Sequence, residues 1–171
     1  RVIRLLGHYY SERSNLNMTA ALALYGQGDY VSFTEESANT NTISIEAWFR
    51  TGGGGGYIIG NGDANDIRIT NGIVEARITD SVITTDLNSP SQLADNEWHH
   101  VVAVRNSTSA VLYIDGESVD TQGSLNSGTY AYSLAYIGQR GDGTDFLRAG
   151  LNGVALYASA LTAGQVTTRY N

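Results

Sequence analysis

The sequence contains no cysteine, and its 171 residues include one proline and one methionine. Disulfides, thiolate nucleophiles and Cys-ligated zinc are thereby excluded, so stability must come from packing and backbone hydrogen bonding. Lysine is absent too. All 10 basic side chains are arginine, set against 17 acidic ones, for a formal net charge of −7. That balance opposes nucleic acid and anionic lipid, which are bound through a positive stripe. Long apolar runs are also missing; the stretches present fall far below the ~20 residues that span a bilayer. The chain opens on Arg1 with no secretory apolar segment behind it, as expected of a chain processed or cut from a longer one.

What the sequence does hold is 20 glycines, 11 tyrosines and many short Val/Ile/Tyr/Thr-rich runs. Such runs separated by turn residues predict strands. The first group is Val2–Tyr10, Ala20–Tyr25, Tyr30–Phe33, Thr42–Thr51, Tyr57–Gly60, Asp66–Thr70 and Ile73–Thr79. The second is Val82–Thr85, Glu97–Arg105, Ala110–Ile114, Ser118–Thr121, Ser133–Gly138 and Phe146–Tyr157. Strands this dense without crossover helices predict antiparallel sheets in one sandwich or barrel domain spanning residues 1–171.

Two turns fix register. Asn71-Gly72 suits a type I′ turn, whose central residues both need positive φ. It would pair Ile69 with Val74 and Ile67 with Ala76 on the buried face, and Arg68 with Glu75 and Asp66 with Arg77 on the other. Opposite charges fall on opposite partners, each pair adding roughly 0.2–1 kcal/mol. Asp115-Gly116 is a second such turn. One short helix is predicted at the end, with Thr162 as N-cap, Gln165 completing a capping box and Leu161 stapled to Val166. Gly52–Gly56 reads as a flexible loop, without the Lys-Ser/Thr of a phosphate-binding loop.

Three segments resemble laminin-G-like and pentraxin-like domains. The first is Asn96-Glu97-Trp98-His99-His100-Val101-Val102-Ala103-Val104, continuing to Leu112-Tyr113-Ile114-Asp115-Gly116. The second runs from Ala23-Leu24 through Gly28-Asp29-Tyr30-Val31-Ser32-Phe33 to Ser44-Ile45-Glu46-Ala47-Trp48-Phe49. The third is Tyr136-Ile137-Gly138, then Gly150-Leu151-Asn152-Gly153-Val154-Ala155-Leu156-Tyr157 and Ala160-Leu161-Thr162. The resemblance covers about residues 20 to 170. It implies an all-β, two-sheet antiparallel jelly-roll sandwich of the concanavalin A-like kind, with a short C-terminal helix. The fold hosts lectins, adhesion modules, glycosidases, toxins and virion proteins, so function must be argued from a site.

Resemblance to pentraxins also implies a calcium site, with Asp63, Asn65 and Asp66 in one loop and Asp142 in another. Ca²⁺ takes six to eight hard oxygens drawn from separated loops. Arg140 stands where those relatives carry an acid, and its charge would repel the metal. Asp66 is also claimed by Arg77 in the hairpin register. Arg140-Gly141-Asp142 is in addition the tripeptide that integrins recognise, set in a glycine-rich loop. Tyr130, Tyr132 and Tyr136 would share one strand face at even spacing, as a glycan or protein surface or as ordinary strand filling.

Catalysis finds little footing. Glucanases of this fold use a Glu-x-Asp-x-x-Glu strand, and no glutamate here has an aspartate two residues on. Glu46 shares a strand face with Trp48 but has no partner acid within that strand. His99 and His100 point to opposite faces of a strand and cannot chelate one ion together. No Gly-x-Ser-x-Gly elbow is present. Asn17 and Asn106 fit the N-glycosylation acceptor pattern.

The expected function is a non-catalytic recognition or adhesion module for a glycan or protein partner at an extracellular, cell or virion surface. A structural or decoration subunit of a virion or surface assembly is the alternative, and a glycoside hydrolase ranks last. Calcium would be the only cofactor, and self-assembly into a larger particle stays open.

Overall fold

Between Ile73 and Thr79 burial alternates, with Val74, Ala76 and Ile78 buried and the residues between them half-buried. This is the pattern of a strand with one face on a core. The computed structural model describes residues 2–4, 21–62, 65–79 and 84–171, with backbone only at 2–4, 34–39, 131 and 132. The strands are β1 (Val2–Arg4), β2 (Leu22–Tyr25), β3 (Val31–Thr40), β4 (Thr42–Arg50), β5 (Gly56–Gly60), β6 (Asp66–Thr70) and β7 (Ile73–Thr79). They continue as β8 (Thr84–Asn88), β9 (His99–Asn106), β10 (Ser109–Ile114), β11 (Glu117–Gln122), β12 (Tyr130–Ile137) and β13 (Arg148–Tyr157), before α1 (Ala163–Tyr170).

The strands form two antiparallel sheets. The first has the order β1-β13-β4-β9-β10-β11, with β2 also paired to β13, and the second runs β3-β12-β5-β6-β7-β8. Their facing sides enclose the main core, which includes Ile45, Phe49, Ile67, Leu112, Leu134 and Leu156. A smaller cluster, Val102, Val104, Tyr113, Ala155, Tyr157, Leu161 and Val166, lies on the other face of the first sheet under α1.

Both predicted turns form as expected. Asn71 and Gly72 have φ of 52° and 83°, and Asp115 and Gly116 have φ of 51° and 83°. The β6–β7 register pairs Asp66 with Arg77, Ile67 with Ala76, Arg68 with Glu75 and Ile69 with Val74. Asp66 is fully buried, however, and Arg77 Nε donates to Asp86 Oδ1 at 2.9 Å. The helix carries the predicted capping box on Thr162 and Gln165.

Many strand ends differ from the sequence reading by a residue or two, and three differences bear on the architecture. β3 continues past Phe33 to Thr40 through a polar run, because pairing with β12 supplies its ladder and an edge strand tolerates polar side chains. β12 accordingly begins at Tyr130. The strand expected at Val82–Thr85 is Thr84–Asn88, held by β7; residues 80–83 lie outside those described, as does most of the expected strand Val2–Tyr10.

Candidate functional site

On the second sheet a groove of roughly 1030 Å³ is lined by the Gly52–Gly56 loop, the β6–β7 hairpin and the loop joining β12 to β13. Its size matches that of small-molecule sites, about 300–1,000 Å³. Tyr57, Arg68 and Glu75 line it from the strands, Gln92 and Ala94 from the segment after β8, and Arg140, Asp145 and Phe146 from the β12–β13 loop.

Three of the five glycines in the Gly52–Gly56 loop make close approaches, while Gly53 and Gly54 meet nothing within 4 Å. A Cβ on Gly52 would lie 2.2 Å from Asn96 Oδ1, one on Gly55 2.6 Å from Ile69 O, and one on Gly56 2.6 Å from Leu147 N. Glycine permits these approaches and so seats the loop against β6 and the start of β13. The Thr51 hydroxyl, which donates to Arg148 O at 2.8 Å, anchors the loop's first turn. Across the groove, Tyr57 N donates to Asp145 O at 3.2 Å and Gly138 N to Tyr57 O at 3.1 Å, which docks the β12–β13 loop onto β5.

Both arginines that line the groove have a carboxylate beside them. Arg68 Nε donates to Glu75 Oε2 at 2.5 Å, both side chains being under a fifth exposed. Burial works against the Arg68 charge, but hydrogen bonds with Glu75 and Tyr57 and the nearby Asp66 outweigh it and hold the guanidinium more firmly protonated than usual. Arg140 lies 3.6 Å from Asp142 Oδ2.

Two of the residues expected to hold calcium bond to other groups through a side-chain oxygen. Asn65 Oδ1 accepts from Thr79 N at 3.2 Å, and Asp142 Oδ1 accepts from the Thr144 hydroxyl at 2.5 Å. The Thr144 hydrogen bond, with help from Arg140, holds the exposed Asp142 carboxyl below its usual value. Asp66 is buried and acts on Arg68 and Arg77. Asp63 lies outside the described residues. Among the described residues no group of three His, Cys, Asp or Glu is arranged to hold a metal ion. Within Arg140-Gly141-Asp142, the two charged side chains face one another, and a Cβ on Gly141 would lie 2.2 Å from Asn61 O.

The tyrosines do not form one face. A bulge between Leu134 and Tyr136 shifts the β12 register, so Leu134 and Ile137 are both fully buried although three residues apart. Tyr130 points inward, 8% exposed, with the Arg105 guanidinium 3.9 Å from its ring centroid. Tyr136 instead sits half-buried against Tyr30, ring centroids 6.1 Å apart. For Tyr132 only the backbone is described. Of the predicted ligand residues, Arg140 lines the groove. Arg68, Glu75, Gln92 and Phe146 were not predicted as site residues, although the register had already placed Arg68 opposite Glu75.

Glu46 is sealed. It is 0% exposed beneath α1, His100 Nε2 donates to its Oε1 at 2.9 Å, and the Tyr157 hydroxyl donates to its other oxygen. Arg169 of α1 reaches within 3.6 Å, and Tyr170 stacks on Trp48 at 5.7 Å. His99 and His100 diverge as expected. His99 sits between two carboxylates, Nδ1 2.8 Å from Asp115 and Nε2 3.1 Å from Asp95. Burial lowers its basicity, but these two acids outweigh burial and raise it above the ordinary imidazole value.

Among solved structures, a heptameric SAP-like pentraxin from Limulus polyphemus aligns with a TM-score of 0.65 at 16% identity, over 87% of this chain and 80% of that one. Domain 4 of an extracellular arabinanase from Geobacillus stearothermophilus, in complex with arabinotriose, gives a TM-score of 0.66 at 16% identity, over 88% and 76%. The binding domain of botulinum neurotoxin DC, in complex with SialylT, gives 0.68 at 18% identity, over all of this chain but 45% of that one. At such identity these likenesses carry the fold alone. No curated protein sequence matches the chain. The sequence profile of the Laminin_G_3 family, in the concanavalin A-like lectin/glucanases superfamily, matches residues 25–167, and the chain belongs to that family.

Proposed function

We propose that the chain is a non-catalytic recognition module that holds a glycan, or a sugar-like protein surface, in the groove on its second sheet. The observation that carries this reading is the groove's construction. Rigid strands present Arg68 and Glu75 on its floor, while two docked loops form its walls. Sites of this kind, concave with a few fixed polar groups, suit orientation-specific binding. Asn65 and Asp142 bond to Thr79 and Thr144 through their side-chain oxygens, which favours binding without calcium.

The structural neighbours include a neurotoxin binding domain and a domain of an extracellular arabinanase in complex with arabinotriose, which favours binding over catalysis and an extracellular setting. The nearest carboxylate to a hydrolase's, Glu46, is closed off from substrate by α1. Screening on glycan and protein arrays, with and without chelator, tests the proposal. The exposed groove residue Thr70, replaced by Trp, fills the site. Binding that survives chelation and is lost in Thr70→Trp is expected; silence across both arrays, or binding untouched by Thr70→Trp, overturns it.

A further inference from the structure

Resting on the reading of the groove as a glycan site, we infer that its ligand class is a neutral, hydroxyl-rich glycan and not an acidic one. The formal charges that line the groove cancel, Arg68 and Arg140 against Glu75 and Asp145. Each arginine also has a carboxylate beside it, Glu75 at 2.5 Å from Arg68 and Asp142 at 3.6 Å from Arg140. Asp86 lies 3.9 Å from Arg68 as well. An incoming carboxylate or sulfate would meet these acids at close range, in a molecule whose net charge of −7 already repels anions.

A sugar hydroxyl faces no such opposition. It is donor and acceptor at once, whereas an ionised carboxylate only accepts. A paired guanidinium and carboxylate presents N–H groups and carboxylate oxygens side by side. Adjacent hydroxyls on one ring can therefore accept from Arg68 and donate to Glu75 without adding charge. Thr70, Asn71 and Gln92 extend the uncharged polar lining, and Phe146 offers an apolar surface for the C–H face of a ring. The Arg68–Glu75 geometry is set in advance by the β6–β7 register and by Tyr57, so little side-chain freedom is lost on binding.

The test compares polysaccharides that differ only at the carboxyl group: polygalacturonate, alginate and hyaluronan, each beside its carboxyl-reduced form, with arabinan and galactan as further neutral probes. Affinity is measured by calorimetry or affinity electrophoresis at low salt. Neutral members are expected to bind at least about tenfold tighter than their acidic partners, since like-charge contacts are costly, with little response to added salt. Glu75→Gln should weaken neutral binding, with its fold verified by circular dichroism. Tighter, salt-sensitive binding of the acidic members overturns this inference and leaves the groove as a glycan site. If no probe of either charge binds, the glycan reading and this inference fall together.

Discussion

Glu46 and His100 stand on adjacent strands with Oε1 and Nε2 2.9 Å apart, neither side chain exposed to solvent. The register places Trp48, not Glu46, directly opposite His100, so the pair is diagonal. Tyr157 and Arg169 complete the cluster and tie α1 to the first sheet.

Removing one member of such a buried set leaves its partners unsatisfied. Glu46→Ala is expected to cost about 3–5 kcal/mol, and Glu46→Gln less, because Gln still accepts from Tyr157. Burial pushes the Glu46 carboxyl up, but the hydrogen bonds with His100 and Tyr157 and the charges of His100 and Arg169 outweigh it and hold it below the usual value of 4.5. Its contribution is present above that value and is lost as pH falls through the lower folded one. Urea midpoints for wild type and Glu46→Gln should therefore converge on acidification; parallel curves would count against the cluster.

His99 gives the opposite sign. Its value is raised in the fold above 6.5, so the stability it adds is complete below that pH and disappears as pH rises through the folded value. His99→Asn should flatten this part of the stability profile. A wild-type protein that gains stability across the same window would contradict the pairing with Asp95 and Asp115.

Two glycines in the β12–β13 loop separate steric from conformational cost. Gly141→Ala drives a Cβ to 2.2 Å from Asn61 O, whereas Gly143, at φ 78°, has nothing within 4 Å. Gly143→Ala should cost about 1 kcal/mol from backbone strain. Gly141→Ala should cost about 3 kcal/mol, as backbone overlap allows no side chain to yield. Thermal denaturation of both variants measures the difference, and equal losses would mean that the β12–β13 loop does not pack on Asn61.

Tyr130 is a structural residue in this account. Tyr130→Ala should destabilise by about 3 kcal/mol, in line with other buried aromatic truncations, while the affinity of any array ligand is unchanged. A selective loss of ligand binding at normal stability would restore it to the site.

The frame was legible because period-two alternation and the Asn-Gly and Asp-Gly corners are local signals. Ile67, Ile69, Val74 and Ala76 could be assigned inward from two turn residues alone. The site was less legible. Arg68 and Glu75 were found as a register pair, but a pair becomes part of a groove only when distant loops close over it. The even spacing of Tyr130 and Tyr136 misled because a bulge, unmarked by glycine or proline, changed parity between them. Gly52–Gly56 carries no side chains from which its packing against Ile69, Leu147 and Asn96 could be read.

The most direct test of the central claim is to titrate the isotopically labelled protein with arabinan and galactan oligosaccharides and follow backbone amide shifts. Concentrated shifts at Arg68, Glu75, Gln92 and Phe146 are predicted. Shifts confined to the opposite sheet and α1, or to the Tyr25 and Tyr30 surface, would contradict a recognition groove on the second sheet.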